Sequence, residues 1–330
     1  MRRMLLRDTG PVESGRLVED ETELSPPGGG QVALRVLACG VCRTDIHIVE
    51  GEVTAALPLV PGHQAVATVE AVGAGVDCVS PGDRVGVAWL ASTCGACSYC
   101  ATDRENLCAS ARFTGRDVDG GYAERMRADA RFVHALPAQF SDTEAAPLLC
   151  AGIIGYRALK LSEIRPGGRL GLFGFGASAH LAIQVANAWR CETYVFTREE
   201  EHRRLARDLG AAWAGAIEDD PGVLLDAAVS FAPAGWIVPI ALRRLDRGGT
   251  LAINAIYSDD IPQFPYEQLY WERTVRSVAN YTRADARAFL ALAAEAGVRA
   301  RTELFPLRDA NEALARLKRG EIEGAAVLVP

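Results

Sequence analysis

Cys94, Cys97, Cys100 and Cys108 follow the spacing C-x2-C-x2-C-x7-C. Four thiolates close a tetrahedral zinc shell and leave no position for a substrate, so such a site holds a loop in place and does no chemistry. Metal chemistry would need a second, open site, and its candidates are spread along the chain. Cys42 lies in Cys39-Gly40-Val41-Cys42-Arg43-Thr44-Asp45-Ile46-His47, His63 in Pro61-Gly62-His63-Gln64, and Cys150 in Pro147-Leu148-Leu149-Cys150-Ala151-Gly152. The spacing is too irregular for a zinc finger. A Cys/His/Cys set gathered from distant loops is nevertheless a ligand type known for a catalytic zinc with one open position. The competing reading of each residue alone is ordinary, since a single buried cysteine is usually a small hydrophobe.

A third group could bind a dinucleotide. Gly174-Phe175-Gly176-Ala177-Ser178-Ala179 is G-x-G-x-x-A, between an apolar segment, Arg169-Leu170-Gly171-Leu172-Phe173, and a helical one, Ala179 to Trp189. The first glycine permits a tight turn, the second lets backbone approach a pyrophosphate, and the small Ala179 allows close helix–strand packing. The helix N-terminus then offers unpaired N–H groups to the anion. The next strand ends Val195-Phe196-Thr197-Arg198. Thr197 supplies no carboxylate for a ribose 2′-hydroxyl, whereas Arg198 could pair with a 2′-phosphate, which favours NADP and leaves NAD possible. The competing reading is that Arg198 tops a solvated loop. Glu199, Glu200 and Glu201 read as the acidic first turn of a helix.

The elements that must position these groups fall into two textures. A chain of 330 residues exceeds the usual size of one hydrophobic core, so two domains are expected. Up to about residue 150 the chain is punctuated by glycine and proline, with strands at Gln31–Leu37, Val66–Val72 and Asp83–Val87, and reads as an irregular β region with long loops. After Cys150, strands at 169–173, 193–196, 226–231 and 249–253 alternate with helical segments, including 199–209. That alternation means crossover units and a parallel sheet. The last 40 residues hold a helix, Ala310 to Arg319, and a strand, Ala325 to Val329.

Composition narrows the function classes. Hydrophobic residues at 49% and charged residues at 23% are ordinary for a soluble globular protein. A net charge of −7 argues against a nucleic-acid partner, including a zinc-ribbon module. No apolar run approaches the roughly 20 residues that span a bilayer, and the apolar stretch after Arg2 and Arg3 is too short for a signal sequence. A cytoplasmic protein is expected, in which nine cysteines would be mostly reduced and close spacing points to metal.

Together these segments resemble the zinc-dependent alcohol dehydrogenases of the medium-chain dehydrogenase/reductase superfamily, over essentially the whole length. The resemblance rests on Gly40 to Asp45, Pro61-Gly62-His63, the Cys94–Cys108 loop, Asp119-Gly120-Gly121-Tyr122-Ala123-Glu124, Cys150-Ala151-Gly152 and Gly174-Phe175-Gly176. It implies an α/β fold: a mostly-β GroES-like catalytic domain over 1–150, to which 288–330 return, and a doubly wound parallel-sheet Rossmann domain over 151–287. It implies a catalytic zinc on Cys42, His63 and Cys150 and a structural zinc on Cys94, Cys97, Cys100 and Cys108. Thr44 would accept the substrate proton, His47 would end a proton relay, and Asp45 would orient the zinc-bound imidazole. Arg43 would join Gly174, Gly176, Ala179, Thr197 and Arg198 in binding the cofactor, and Trp89 would line the substrate pocket, although a core aromatic is the competing reading. The implied reaction interconverts an alcohol and an aldehyde or ketone by hydride transfer with NADP or NAD, in a homodimer or homotetramer.

Two positions depart from the family pattern. Gln64 stands where a glutamate usually follows the histidine, and a neutral amide cannot serve as an anionic ligand. Gly324-Ala325-Ala326-Val327 lacks an arginine commonly found there, so cofactor affinity must lean on Arg43 and the helix N-terminus. The alternatives are an enone or quinone reductase of the same fold, which generally works without a catalytic metal, and a non-catalytic NADPH-binding protein. His134, His180 and His202 read as structural or solvated, and Cys39, Cys78 and Cys191 as ordinary thiols.

Overall fold

A computed structural model describes all 330 residues. The chain forms two compact units, Met1–Cys150 with Asn280–Ala294 and Ala300–Pro330, and Ala151–Ala279 with Glu295–Arg299.

The first unit is built on a seven-stranded sheet. Thr302–Pro306, Ala325–Val329, Gln31–Gly40, Ala65–Val72, Arg84–Val87 and Val133–Ala135 lie side by side, and Arg125–Asp129 also pairs with Gln31–Gly40. All pairings are antiparallel except the first, between the two C-terminal strands. Register shifts at Ala33/Leu34 and Val36/Ala38 bend the central strand, as bulges do. Val32, Leu34, Val36, Ala38, Val66 and Val85 on these strands are all buried. The region is less irregular than its glycine content suggests. It also contains a helix, Arg43–Glu50, which sequence reasoning did not resolve; Ile46, Ile48 and Val49 are β-branched, and burial of this side holds the helix against their propensity.

The second unit is a six-stranded parallel sheet in the order Trp213–Gly215, Glu192–Phe196, Arg169–Phe173, Leu225–Ser230, Leu245–Ile253, Thr274–Ser277. In chain order this is 3-2-1-4-5-6, the doubly wound dinucleotide-binding arrangement, whose strand order reverses beside Arg169–Phe173. Strands covered on both faces read as continuous apolar runs, and Leu170, Leu172, Phe173, Val195 and Phe196 are all fully buried. Phe173 and Phe196 stack across neighbouring strands with centroids 4.3 Å apart. The Ala-rich helix Arg283–Ala296 belongs to the first unit up to Ala294 and has no counterpart among the expected elements; Asp285 caps its start by accepting from Thr282 N–H and Oγ1 at 3.0 and 2.9 Å.

Candidate metal and cofactor sites

Cys42 is the N-cap of helix Arg43–Glu50, so its side chain stands at the helix start. Its own N–H donates to Asp45 Oδ2 at 2.9 Å, closing a reciprocal cap. His63 follows Gly62, whose φ of +94° is left-handed; a Cβ there would lie 2.3 Å from the Tyr122 ring, so only glycine fits. Cys150 lies in Leu148–Gly152, a π-turn directly after Pro147, a type of helical irregularity frequent at functional sites.

These three elements bring their side chains together. Cys42 Sγ is 4.0 Å from Cys150 Sγ, His63 Nε2 is 3.3 Å from Cys150 Sγ, and all three ligand atoms lie within 4.8 Å of one another. Zinc bonds of about 2.0–2.3 Å to nitrogen and sulfur in a tetrahedron separate neighbouring ligands by about 3.5–3.8 Å, so the donors fit one ion with a fourth position left over.

Behind the donors, Asp45 is fully buried. Its Oδ1 faces His63 Nδ1 at 3.1 Å, and its Oδ2 accepts from Tyr122 Oη at 3.0 Å as well as from Cys42 N–H. A carboxylate can only accept, so the imidazole proton is on Nδ1 and the Nε2 lone pair points to the thiols. Electrostatics agree with a cation site. Hydrogen bonding from Cys150, and then from His63 against the cost of burial, holds the Cys42 thiol well below its usual range. With no ion bound, burial works against charge on His63, but Asp45 and Cys42 raise it to about 10, so a cation binding here would displace the Nε2 proton. We expect Asp45→Asn to weaken zinc binding here about 10–100-fold, the usual cost of losing the group that orients a ligand. Competition with a chromogenic chelator measures it.

Thr44 Oγ1 lies 3.7 Å from Cys42 Sγ, beside the donors. His47 lies three residues on, one turn along the same helix, and its Nδ1 bonds the Glu52 carboxylate. Arg43 is exposed at the first turn. Trp89 is 8% exposed, meets His63 edge-on at 4.8 Å between centroids and stacks on Phe113 at 5.2 Å. It is a core aromatic that also lies beside His63. Gln64 is buried, with its amide against Gly40, where a Cβ would come within 3.0 Å of Gln64 Cδ.

The four-cysteine loop runs between the paired strands Leu90–Ser92 and Arg112–Phe113. Cys94 and Cys100 sulfurs are 3.9 Å apart, Cys97 and Cys100 3.5 Å, and Cys108 and Cys94 3.5 Å. These bracket the roughly 3.8 Å edge of a zinc–sulfur tetrahedron, so the set fits a closed site. Backbone N–H groups of Ala96 and Cys97 aim at Cys94 and lower its thiol to about 6.

In the second unit Gly174 has φ +83°, and a Cβ on it would meet Ala232 N at 3.1 Å. Gly176 caps helix Ala177–Ala188, and a Cβ on it would meet no protein atom within 4 Å. Space kept open at a helix N-terminus suits a phosphate group. Ala179 is fully buried, as close helix–strand packing requires, and Thr197 is 2% exposed at the end of its strand. The Arg198 side chain is 79% exposed, within 3.5 Å of a Glu199 carboxylate oxygen.

Two contributors escaped sequence reasoning. Tyr122 bonds Asp45 from 77 positions away, and the only signal was its place in the Gly120-Gly121-Tyr122 segment. Glu105, inside the cysteine loop, accepts from Arg283 N–H at 2.9 Å and pairs with its guanidinium at 3.2 Å, with no local signal at all.

Residues 28–138 match the family description "Alcohol dehydrogenase GroES-like domain". The chain is 50% identical over 335 aligned positions to "Probable alcohol dehydrogenase AdhA" of Mycobacterium tuberculosis, covering 98% of this chain and 96% of that protein. It is 38% identical to an alcohol dehydrogenase of Geobacillus stearothermophilus, with 91% of each covered. Among solved structures, a cobalt- and zinc-bound thermostable alcohol dehydrogenase from Pyrobaculum aerophilum superposes with a TM-score of 0.91 at 26% identity, covering 100% of this chain and 99% of that one. The chain therefore belongs to the zinc-type alcohol dehydrogenase family of medium-chain dehydrogenases/reductases.

Proposed function

We propose that Cys42, His63 and Cys150 hold the catalytic zinc of an enzyme that interconverts an alcohol with its aldehyde or ketone. The observation that carries this reading is the convergence of these three donors within 4.8 Å, backed by a buried Asp45. The zinc-bound relative from Pyrobaculum aerophilum supports the choice of metal. Zinc held by Cys42, His63 and Cys150 would supply a Lewis acid, and a nicotinamide cofactor held at Gly174 and Gly176 would supply a hydride carrier.

The chain's own residues do the rest. Asp45 fixes the His63 ring so that Nε2 faces the ion. Thr44 Oγ1, beside Cys42, accepts the alcohol proton in oxidation and returns it in reduction. His47 passes that proton to solvent from the same helix. Trp89 and Phe113 close an apolar wall that excludes water. Cys94, Cys97, Cys100 and Cys108 hold the structural zinc and take no part in the chemistry. Gly174, Gly176 and the N-terminus of helix Ala177–Ala188 receive the pyrophosphate, and Ala179 lets that helix approach its strand.

Thr197 and Arg198 select NADP. A charge-assisted hydrogen bond contributes about 1.5–3 kcal/mol. Arg198→Ala should therefore reduce the preference for NADP over NAD by about 10–100-fold, read as the ratio of the two kcat/KM values. A panel of alcohols, aldehydes and enones, followed at the nicotinamide absorbance with both cofactors, tests the reaction itself. Turnover confined to enones, or no turnover with two zinc ions bound, would overturn it. The protein would work in the cytoplasm as a homodimer or homotetramer. Tyr266, Tyr270 and Trp271, all about half-exposed or more and in contact with one another just before the edge strand of the parallel sheet, suit such an interface.

A further inference from the structure

We propose that Glu52 is a positioning residue for proton transfer through His47. Helix Arg43–Glu50 ends at Gly51, whose φ of +83° and N–H bond to Ile48 O at 3.1 Å turn the chain back on itself. Val53 N–H then donates to His47 O at 3.0 Å, and the Glu52 carboxylate meets His47 Nδ1. A side chain at Gly51 would be strained by that φ and would approach Thr9 Oγ1 to 3.1 Å, so the turn that delivers Glu52 depends on glycine. The side chain of His47 is 19% exposed and that of Glu52 45%, which places the imidazole inside and the carboxylate in water.

A carboxylate accepts and does not donate, so this pairing sets the His47 proton on Nδ1 and the lone pair on Nε2. An imidazole with an acid behind one nitrogen is held in a single tautomer. For each alcohol oxidised, one proton leaves with no electrons. His47 Nε2 takes it, and the imidazolium keeps its Nδ1–H bond to Glu52. Nε2 then releases that proton to water, and the neutral Nδ1–H form of His47, still bonded to Glu52, is restored with no net change in the protein. Carbonyl reduction runs the same steps backwards.

The inference rests on the reading that His47 carries the proton, so the experiment separates the two. Glu52→Ala, Glu52→Asp and His47→Gln are compared in the zinc-loaded enzyme. Nitrogen-15 spectra of histidine-labelled protein report the His47 tautomer without turnover. Glu52→Ala should convert a single Nδ1–H form into a mixture and lower kcat about 10-fold at unchanged KM for alcohol. It should also make the rate depend on imidazole buffer concentration, and Glu52→Asp should restore most of the loss. If His47→Gln is slow while Glu52→Ala keeps the wild-type kcat, Glu52 has no such role and the His47 reading stands. If His47→Gln is itself unimpaired, both fall.

Discussion

Cys42→Ala should bind one zinc ion per chain in place of two and lose at least about 10³-fold in kcat/KM. The loss follows from removing a Lewis acid worth several kcal/mol at the transition state, where about 4 kcal/mol corresponds to that factor. The fold should survive, because the Cys42 group that Asp45 holds is its backbone N–H, at 2.9 Å, and alanine keeps it. His63 and Tyr122 keep their bonds to Asp45 as well. Elemental analysis gives the metal count, circular dichroism the fold, and the nicotinamide absorbance the rate. A variant with one zinc ion and wild-type rate would show that these donors are not the catalytic site. His63→Ala is the poorer choice, since it strips a buried carboxylate of one of its three partners and mixes stability with chemistry.

The comparison of Cys42 with Tyr122 also shows what the sequence can reveal. Cys42, Thr44, Asp45 and His47 sit within six residues, so a local motif announces them. The glycine fingerprint is local too, and the parallel sheet around it could be read from uninterrupted apolar strands. Roles come from resemblance, because nothing in spacing alone says that His63 and Cys150, 87 positions apart, meet at 3.3 Å. Helix Arg43–Glu50 stayed hidden because its β-branched residues favour strand locally and tertiary burial overrides them. Glu52 reaches His47 only through the left-handed turn at Gly51, and a glycine in sequence does not state which way the chain bends. Asn280–Ala294 belong to the first unit. Arg283 explains why the segment from Asn280 is tied there: its contact with Glu105 spans 178 positions, a distance no periodicity can register.

That same contact carries the second large effect. The Cys94–Cys108 loop has few apolar anchors: Cys94 is exposed, Cys97 and Cys100 are half-buried, and Tyr99 and Leu107 are exposed. Its order must come from the ion and from Glu105, which is 3% exposed and held by Arg283. Tyr281, two residues before Arg283, accepts from Leu90 N–H at 3.3 Å, and Leu90 follows Trp89. The cysteine loop is thus joined through Glu105, Arg283 and Tyr281 to the wall beside His63. Cys97→Ala should therefore lose the structural zinc and lower the melting temperature by about 10 °C, the scale of losing a tightly held ligand from a domain of this size. Proteolysis should begin between residues 93 and 110, where the backbone is released. The catalytic zinc should remain, while KM for alcohol rises as Trp89 loosens. A variant that keeps its melting temperature and resists protease in this segment would show that the Glu105–Arg283 anchor orders the loop without the metal. Glu105→Gln in the wild-type background then distinguishes the two supports, since it weakens the anchor and leaves all four thiols in place.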